Sequence, residues 1–153
     1  SGLASQASTR WAKKHDIKKV TNQGKGNLGL EMRRQILRSK EDDKLSQNKR
    51  NSVIIIGTDL PSLAHTDLTN ALEKLEANDM IIGPSSDGGY WLLGLSEKLL
   101  NPLVFWPFSG IPWGTNKVLE ETVKKANKIN INFSMLRVQN DLDTLSDMKP
   151  WLT

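Results

Sequence analysis

Four aspartates follow apolar runs in this sequence, and they are the residues best suited to chemistry. Asp59 and Asp87 each come shortly after a short apolar run, and Asp141 and Asp143 follow an alternating one. If these runs are strands whose carboxyl ends share one edge of a sheet, the carboxylates converge on one crevice. Converging carboxylates repel one another, and a divalent cation, a raised pKa or a basic partner relieves the repulsion. Basic residues are few in the second half of the chain, so we expect a magnesium or manganese ion with oxygen ligands.

The apolar run before Asp59 organises the rest of our interpretation. Residues 53–56 are four consecutive branched apolar residues, which is typical of a strand covered on both faces in the middle of a mostly parallel sheet. Gly57, Thr58 and Asp59 follow at its carboxyl end, where ligands bind in open α/β sheets. The simpler alternative is that Asp59 only caps the turn that follows the strand.

The remaining pattern predicts helices and strands in alternation. Apolar residues at helical spacing predict helices at 28–38, 68–75 and 118–126, and short apolar runs predict strands at 80–82, 90–95 and 129–138. Thr66 or Asp67 is placed to cap the second of these helices, and Thr115 the third. We therefore expect one α/β domain over residues 23–153, preceded by a polar segment, residues 1–22, that we assign poorly.

Composition excludes several classes of function. The chain has no cysteine, which excludes disulfides, thiolate metal sites and a cysteine nucleophile. No run approaches the roughly 18 apolar residues of a membrane span, and the first residues lack the apolar core of a signal peptide. We expect a cytoplasmic protein. Residues 1–52 carry 13 Lys or Arg against 5 Asp or Glu, but these lie among polar residues, so we expect a solvated face and no nucleic-acid partner.

Two glycine-bearing loops and one tryptophan are further candidates for ligand contact. Residues 23–27, which include Gly24, form a loop whose backbone amides could approach an anion. Residues 87–89, Asp-Gly-Gly, would let a ligand come close to the main chain, although an Asp-Gly hairpin turn is the simpler alternative. Trp113 could stack on a sugar or a base, or it could simply pack against the core.

Four blocks of this sequence resemble a family of small glycosyltransferase-A-like proteins. The family is that of nucleotide-diphospho-sugar transferases of the radical-SAM/selenodomain-associated type. The blocks are residues 57–63, 83–95, 113–115 and 141–144, and the likeness also takes in residues 23–29. Their order and spacing are specific for the family, whereas related folds transfer either sugars or nucleotidyl groups.

The resemblance implies a fold and a set of roles. It implies a Rossmann-like three-layer α/β sandwich and metal-dependent glycosyl transfer from a nucleotide-diphospho-sugar donor to an unknown acceptor. Asp59 takes the place of the metal-binding aspartate, with Asp143 as a second metal or ribose contact. The predicted roles are catalysis for Asp59 and Asp87, cofactor contact for Gly57, Thr58, Gly24 and Gly29, and substrate contact for Gly88, Gly89, Tyr90, Trp113 and Thr115.

The resemblance also leaves a section unmatched. Proteins of this family normally open with a strand and a loop bearing Pro, Gly, Lys and Arg, which receives the nucleotide phosphates. Residues 1–22 show no such section, so we expect the sheet to be N-terminally incomplete. Exposed strand edges would then favour a homo-oligomer.

Three alternatives to glycosyl transfer stay open. A nucleotidyltransferase of the same fold would use the same carboxylates and metal for attack on an α-phosphate. A truncated binding protein would keep the fold without turnover. A phosphoacceptor receiver module would need an acidic pair after its first strand and a Lys after its last, and neither is visible. His15 and His65 are isolated, so nothing indicates a covalent intermediate.

Overall fold

Helices and strands alternate along much of the chain in the computed structural model, which describes residues 5–21, 25–45, 52–103 and 108–140. In chain order the elements are α1 (Ser5–Lys14), α2 (Leu28–Leu45), β1 (Ser52–Ile56), α3 (His65–Ala77), β2 (Met80–Pro84), β3 (Tyr90–Ser96), α4 (Glu97–Leu100), α5 (Val118–Lys128) and β4 (Phe133–Met135). The helices predicted at 28–38, 68–75 and 118–126 and the strands predicted at 53–56, 80–82 and 90–95 form, with α2 longer than predicted, and the strand predicted at 129–138 is shorter. No helix in the described ranges is both long and apolar enough to cross a bilayer.

The four strands form one mixed sheet in the order β1-β3-β2-β4. β3 pairs antiparallel with both β1 and β2, and β4 pairs parallel with β2. The prediction of a mostly parallel sheet is therefore wrong. The reason is the turn after β2, which reverses the chain as a hairpin and returns β3 between two strands that precede it.

β1 does not occupy the middle of this sheet. Among the described residues it is an edge strand whose residues are half-buried or exposed, with Ile56 40% exposed. All of β2 and the interior of β3 are buried. Several apolar runs compete for the centre, and the apolar composition of β1 alone did not distinguish an edge position from a central one.

The strand directions nevertheless bring the predicted loops together. β1, β2 and β4 run parallel to one another because each is related to its neighbours through antiparallel β3 or a direct parallel pairing. Their carboxyl ends therefore lie at one edge of the sheet, where β3 begins. The loops of Asp59 and Asp87 therefore extend from the same end of the sheet, and the predicted convergence of their carboxylates stays a prediction. Asp141 and Asp143 lie outside the described residues.

Helices cover both faces of the sheet. On one face, residues of α2, α4 and α5 pack with β2 and β3 around Met32, Ile36 and Phe108. On the other face, Ala71 and Leu75 of α3 pack against different side chains of the same two strands. The three-layer arrangement follows from apolar residues alternating along β2, where Met80 and Ile82 face one layer and Ile81 faces the other.

Candidate functional site

Asp59 lies in an exposed loop at the carboxyl end of β1. This loop, residues 57–64, is called the Asp59 loop. At its start the backbone N–H of Gly57 donates to the carbonyl of Trp91 at 2.8 Å, and Leu60 packs into the core beneath it. Asp59 itself is exposed, and within the described ranges its carboxylate has no hydrogen bond or ion pair. A carboxylate held at a strand end without a protein partner is available to a cation.

Asp87 lies in the hairpin loop between β2 and β3, residues 85–89, called the Asp87 loop. Its Oδ1 accepts a hydrogen bond from the N–H of Gly89 at 2.9 Å, so the predicted Asp-Gly turn forms. Gly88 has a φ of +89°, and a Cβ there would lie 2.1 Å from the carbonyl oxygen of Asn116. The N–H of Leu119 donates to the Gly88 carbonyl at 2.8 Å. Glycine is thus required at position 88 by close packing against the segment that leads into α5.

Asp59 and Asp87 lie in two different loops at the same carboxyl edge of the sheet. The described residues contain no cluster of three or more His, Asp or Glu side chains that could hold a metal. A magnesium or manganese ion often takes only one or two protein carboxylates and completes its shell with substrate phosphates and water, and the described residues fit that kind of site. Asn140, next to Asp141, lies beside the Asp87 loop, because Ser86 Oγ donates to its Oδ1 at 2.6 Å.

A cavity of about 330 Å³ opens between α2 and the β1–β3 part of the sheet. Gly57, Thr58 and Tyr90 line it, as do the polar side chains of Glu31 and Gln35 from α2; the rest of its wall is apolar. This volume is at the lower end of the range for small-molecule sites, about 300–1,000 Å³. Three predicted site residues therefore share one cavity, with Asp59 the next residue along the chain.

Trp113 and Gly29 are packed against each other. A Cβ on Gly29 would lie 2.4 Å from Trp113 Nε1 and 2.6 Å from the Phe108 carbonyl oxygen. Trp113 also meets the ring of Tyr90 edge-on, with centroids 6.1 Å apart and planes at 83°. The structure therefore places Trp113 behind Tyr90 as packing, which was the simpler alternative, and buries Gly29 in the first turn of α2.

Thr115 serves the turn before α5. Its Oγ1 donates to the carbonyl of Pro112 at 2.8 Å and accepts from the N–H of Lys117 at 3.3 Å. Thr115 is exposed, and its predicted contact with substrate stays a prediction. Gly24 and Asp143, predicted to contact cofactor and metal, lie outside the described residues.

The hydroxyl of Tyr90 is buried, although its ring lines the cavity. Thr122, which is fully buried, lies near it, but within the described residues neither hydroxyl has a contact with hydrogen-bond geometry. Burial raises the pKa of Tyr90, and the neighbouring Thr122 only partly opposes the rise. A ligand in the cavity would therefore meet the ring of Tyr90 and not its hydroxyl.

Tyr90→Phe is expected to leave ligand binding unchanged and to leave stability unchanged or raise it by about 1 kcal/mol, because it removes a buried hydroxyl that has no hydrogen-bond partner among the described residues. Urea unfolding and nucleotide titration of both proteins measure this. Tyr90→Ala is the matched variant, since it removes the ring and is expected to weaken binding. A tenfold or larger loss of affinity in Tyr90→Phe, on the order of 1.4 kcal/mol, would show that the hydroxyl does reach the ligand.

Asp67, Arg137 and Gln139, which the sequence analysis did not assign to a site, form a charged, hydrogen-bonded cluster in the described part of the chain. Arg137 Nε and Nη2 donate to Oδ1 and Oδ2 of Asp67, each at 2.7 Å. Gln139 Nε2 donates to Oδ2 at 3.2 Å, and the N–H of Ala64 does so at 2.9 Å. The hydrogen bonds from Arg137 are the main reason that the pKa of Asp67 falls to about 2, against the opposing effect of burial.

One signal for this cluster was present in the sequence. The sequence predicts only a capping role for Asp67. Its carboxylate does accept a hydrogen bond from the N–H of Ala64, which helps to begin α3. A basic partner is one way to relieve a buried carboxylate, and Arg137 is one of the few basic residues of the second half. Nothing in the sequence joined two residues 70 positions apart.

The comparisons with known proteins give a family and a fold. The sequence profile described as "Uncharacterized protein conserved in bacteria (DUF2064)" matches residues 2–115. No curated protein matches the chain. Among solved structures, a protein of Desulfovibrio desulfuricans G20 assigned as a nucleotide-diphospho-sugar transferase is similar, with a TM-score of 0.72 and 26% sequence identity. The match covers 94% of this chain and 58% of that one, so this chain spans less than two thirds of its length.

Proposed function

The chain belongs to the DUF2064 family, and from that premise we propose that it is a metal-dependent transferase acting on a nucleotide-diphospho-sugar. The observation that carries the proposal is that Asp59 is exposed, has no partner among the described residues, and adjoins the cavity at the carboxyl edge of β1. The similarity to a structure assigned as a nucleotide-diphospho-sugar transferase supports it. An open carboxylate beside a ring-sized apolar cavity suits a ligand with one apolar end and one anionic end.

The residues of the site divide the ligand between them. The cavity would take a base or a sugar ring, with Glu31 and Gln35 as hydrogen-bonding groups on its α2 side. Gly57 and Thr58 line it and lead to Asp59. Asp59, with Asp87 or Asp143, would hold a magnesium or manganese ion. Such an ion neutralises the charge that builds on a departing diphosphate.

Finer points of this proposal remain predictions. They are the radical-SAM/selenodomain-associated type, the sugar acceptor, a homo-oligomeric state and a cytoplasmic location. The contacts predicted for Gly24, Gly29, Gly88, Gly89 and Thr115 also remain predictions.

A fluorescence titration tests the proposal. Trp113 packs edge-on against Tyr90, which lines the cavity, so its emission reports on ligand entry. UDP, GDP, ADP, CDP and dTDP, and their sugar conjugates, would each be titrated with and without manganese. We expect one nucleoside diphosphate to bind with a strong dependence on manganese, and the matching nucleoside monophosphate to bind about tenfold or more weakly, because it lacks the second phosphate that chelates the ion.

The products of a turnover experiment then identify the reaction. Release of a nucleoside diphosphate with the sugar on an acceptor indicates glycosyl transfer. Formation of a nucleotide sugar with release of pyrophosphate indicates the nucleotidyltransferase alternative. If no nucleotide binds with or without manganese, the proposed function is wrong.

A further inference from the structure

Asp67, Arg137 and Gln139 form a partly buried polar cluster next to the two loops that carry Asp59 and Asp87. This cluster is called the Asp67 clamp. The Asp67 side chain is 9% exposed and Gln139 is 4% exposed, whereas the Arg137 side chain is 51% exposed. Each member comes from the same carboxyl edge of the sheet: Asp67 from the start of α3, and the other two from the segment after β4.

The clamp holds the end of the Asp59 loop. Arg137 Nη2 donates to the carbonyl of Ser62 at 2.8 Å while it also binds Asp67. The N–H of Ala64 donates to Asp67 Oδ2 at 2.9 Å. Since Gly57 fixes the other end of the loop through Trp91, Asp59 lies between two anchored ends.

The clamp also holds the Asp87 loop. The N–H of Gln139 donates to the carbonyl of Pro84 at 3.0 Å, and the N–H of Ser86 donates to the carbonyl of Gln139 at 3.2 Å. The side chain of the same residue donates to Asp67 at 3.2 Å. Gln139 is thus bonded on its backbone to the Asp87 loop and through its side chain to the residue that holds the Asp59 loop.

Backbone pairing alone does not join these loops directly. They extend from β1 and β2, which are not neighbours, because β3 lies between them. The clamp is therefore a polar bridge from one loop to the other that passes across the start of β3. Arg137 adds a contact to the start of β3, since Trp91 Nε1 donates to its carbonyl at 3.2 Å.

We propose that the Asp67 clamp fixes the Asp59 loop and the Asp87 loop relative to each other, and that Arg137 and Gln139 are positioning residues for the nucleotide site. Its consequence for ligand binding rests on the proposed function, but its consequence for the free protein does not. Small displacements of groups that bind the same ligand are sufficient to weaken binding strongly. A bridge between the loops therefore affects ligand affinity more than the free energy of its own hydrogen bonds suggests.

Gln139 offers a variant that separates positioning from stability. Its Oε1 is buried and has no hydrogen-bond partner in the described part of the chain. Replacement by Met keeps the length of the side chain and removes both the bond to Asp67 and the unsatisfied oxygen, so the two effects on stability oppose each other. Gln139→Met should therefore stay folded while it loses the link between the loops.

The experiment is hydrogen–deuterium exchange of the free protein, followed by manganese-dependent titration with the nucleoside diphosphates. Gln139→Met and Arg137→Lys are the test variants, and Arg137→Lys keeps the charge but not the fork that reaches Ser62. Lys98→Met is the control, since it breaks the 2.8 Å ion pair with Asp79 at the opposite end of the sheet. Urea unfolding checks that each variant is folded.

We expect exchange in peptides spanning the Asp59 loop and the Asp87 loop to rise about fivefold in both test variants, the size expected when a local opening loses one hydrogen bond. Affinity for the bound nucleotide should fall about tenfold, on the order expected when supporting residues release a ligand-binding group. Lys98→Met should change neither the hydrogen exchange nor the affinity. If the clamp had only a structural role, the test variants would raise exchange throughout the sheet.

The outcomes are distinguishable. If exchange in neither loop changes in the test variants, the clamp does not position the loops and the inference is overturned, whether or not nucleotides bind. If exchange rises but the native chain binds no nucleotide, the clamp stands and the proposed function fails. If both loops loosen and affinity is unchanged, the loops do not share a ligand and the positioning role is overturned.

Discussion

Asp59→Asn is expected to weaken manganese-dependent nucleotide binding by roughly 100-fold or more, because a neutral amide replaces the carboxylate that we propose holds the ion. The change keeps the shape of the side chain. Stability should stay within about 0.5 kcal/mol of the native protein, since Asp59 is exposed and bonds to no described residue. Fluorescence titration and urea unfolding of the same preparations measure the two effects.

Glu76→Gln is the matched control for this change. Glu76 is an exposed carboxylate on α3, and it too has no bond within the described ranges. It should alter neither metal-dependent binding nor stability. If Asp59→Asn binds the nucleotide and manganese as the native chain does, Asp59 is not a ligand and only caps its turn, which is the simpler interpretation of its position.

Asp67→Ala is expected to destabilise the protein by about 2–3 kcal/mol. The change leaves Arg137, Gln139 and the N–H of Ala64 without their shared acceptor. Removing one partner of a buried ion pair costs about 3–5 kcal/mol. The expected cost of Asp67→Ala is lower, because Arg137 is half-exposed and its charge can be hydrated. Chemical unfolding measures the difference. The matched control is Glu121→Ala, which breaks an exposed ion pair with Lys124 and should cost less than about 1 kcal/mol.

The pH dependence of this difference has a definite sign. The pKa of Asp67 is lowered from 3.8 in the unfolded chain to about 2 in the folded one, chiefly by the hydrogen bonds from Arg137. The folded state therefore favours the ionised form, so the contribution is fully present above pH 3.8 and is lost as pH falls toward 2. The stability difference between the native chain and Asp67→Ala should shrink across that window. A stability difference that stays constant between about pH 6 and pH 2, a range that includes the roughly 3.9 reference pKa of Asp, would contradict this account.

Sequence patterns predicted the helices, the strands and the position of Asp59, because each depends on a short run of residues. The apolar spacing of α3 and α5 and the strand end before Gly57 are local features. The direction of β3 was the main error in the fold. The Asp-Gly-Gly turn reverses the chain between β2 and β3. The sequence analysis gives this turn only as an alternative, because it predicts a parallel sheet.

The site was harder to predict because it depends on pairs of distant residues. Asp67 and Arg137 are separated by 70 positions, and each taken alone has an ordinary local role as a cap or a surface charge. Likewise, Gly29, to which the resemblance assigned a cofactor contact, packs against Trp113, far along the chain, which occupies the space that a side chain would need. Only the assembled sheet shows which of these residues meet.

The order of the strands also determines the order in which the site can form. β2 and β3 are joined by the short Asp87 loop, whereas β1 must reach β3 across all of α3 and β2. Contacts between nearby segments form sooner than contacts between distant ones, so the hairpin should be made first and β1 added to it. Because the Asp59 loop continues from β1, detachment of that one edge strand would remove Asp59, the proposed metal ligand, while the rest of the sheet stays folded. Binding of a nucleotide and its metal would then act as the final stabilising step of folding, since only the completed sheet can accept them.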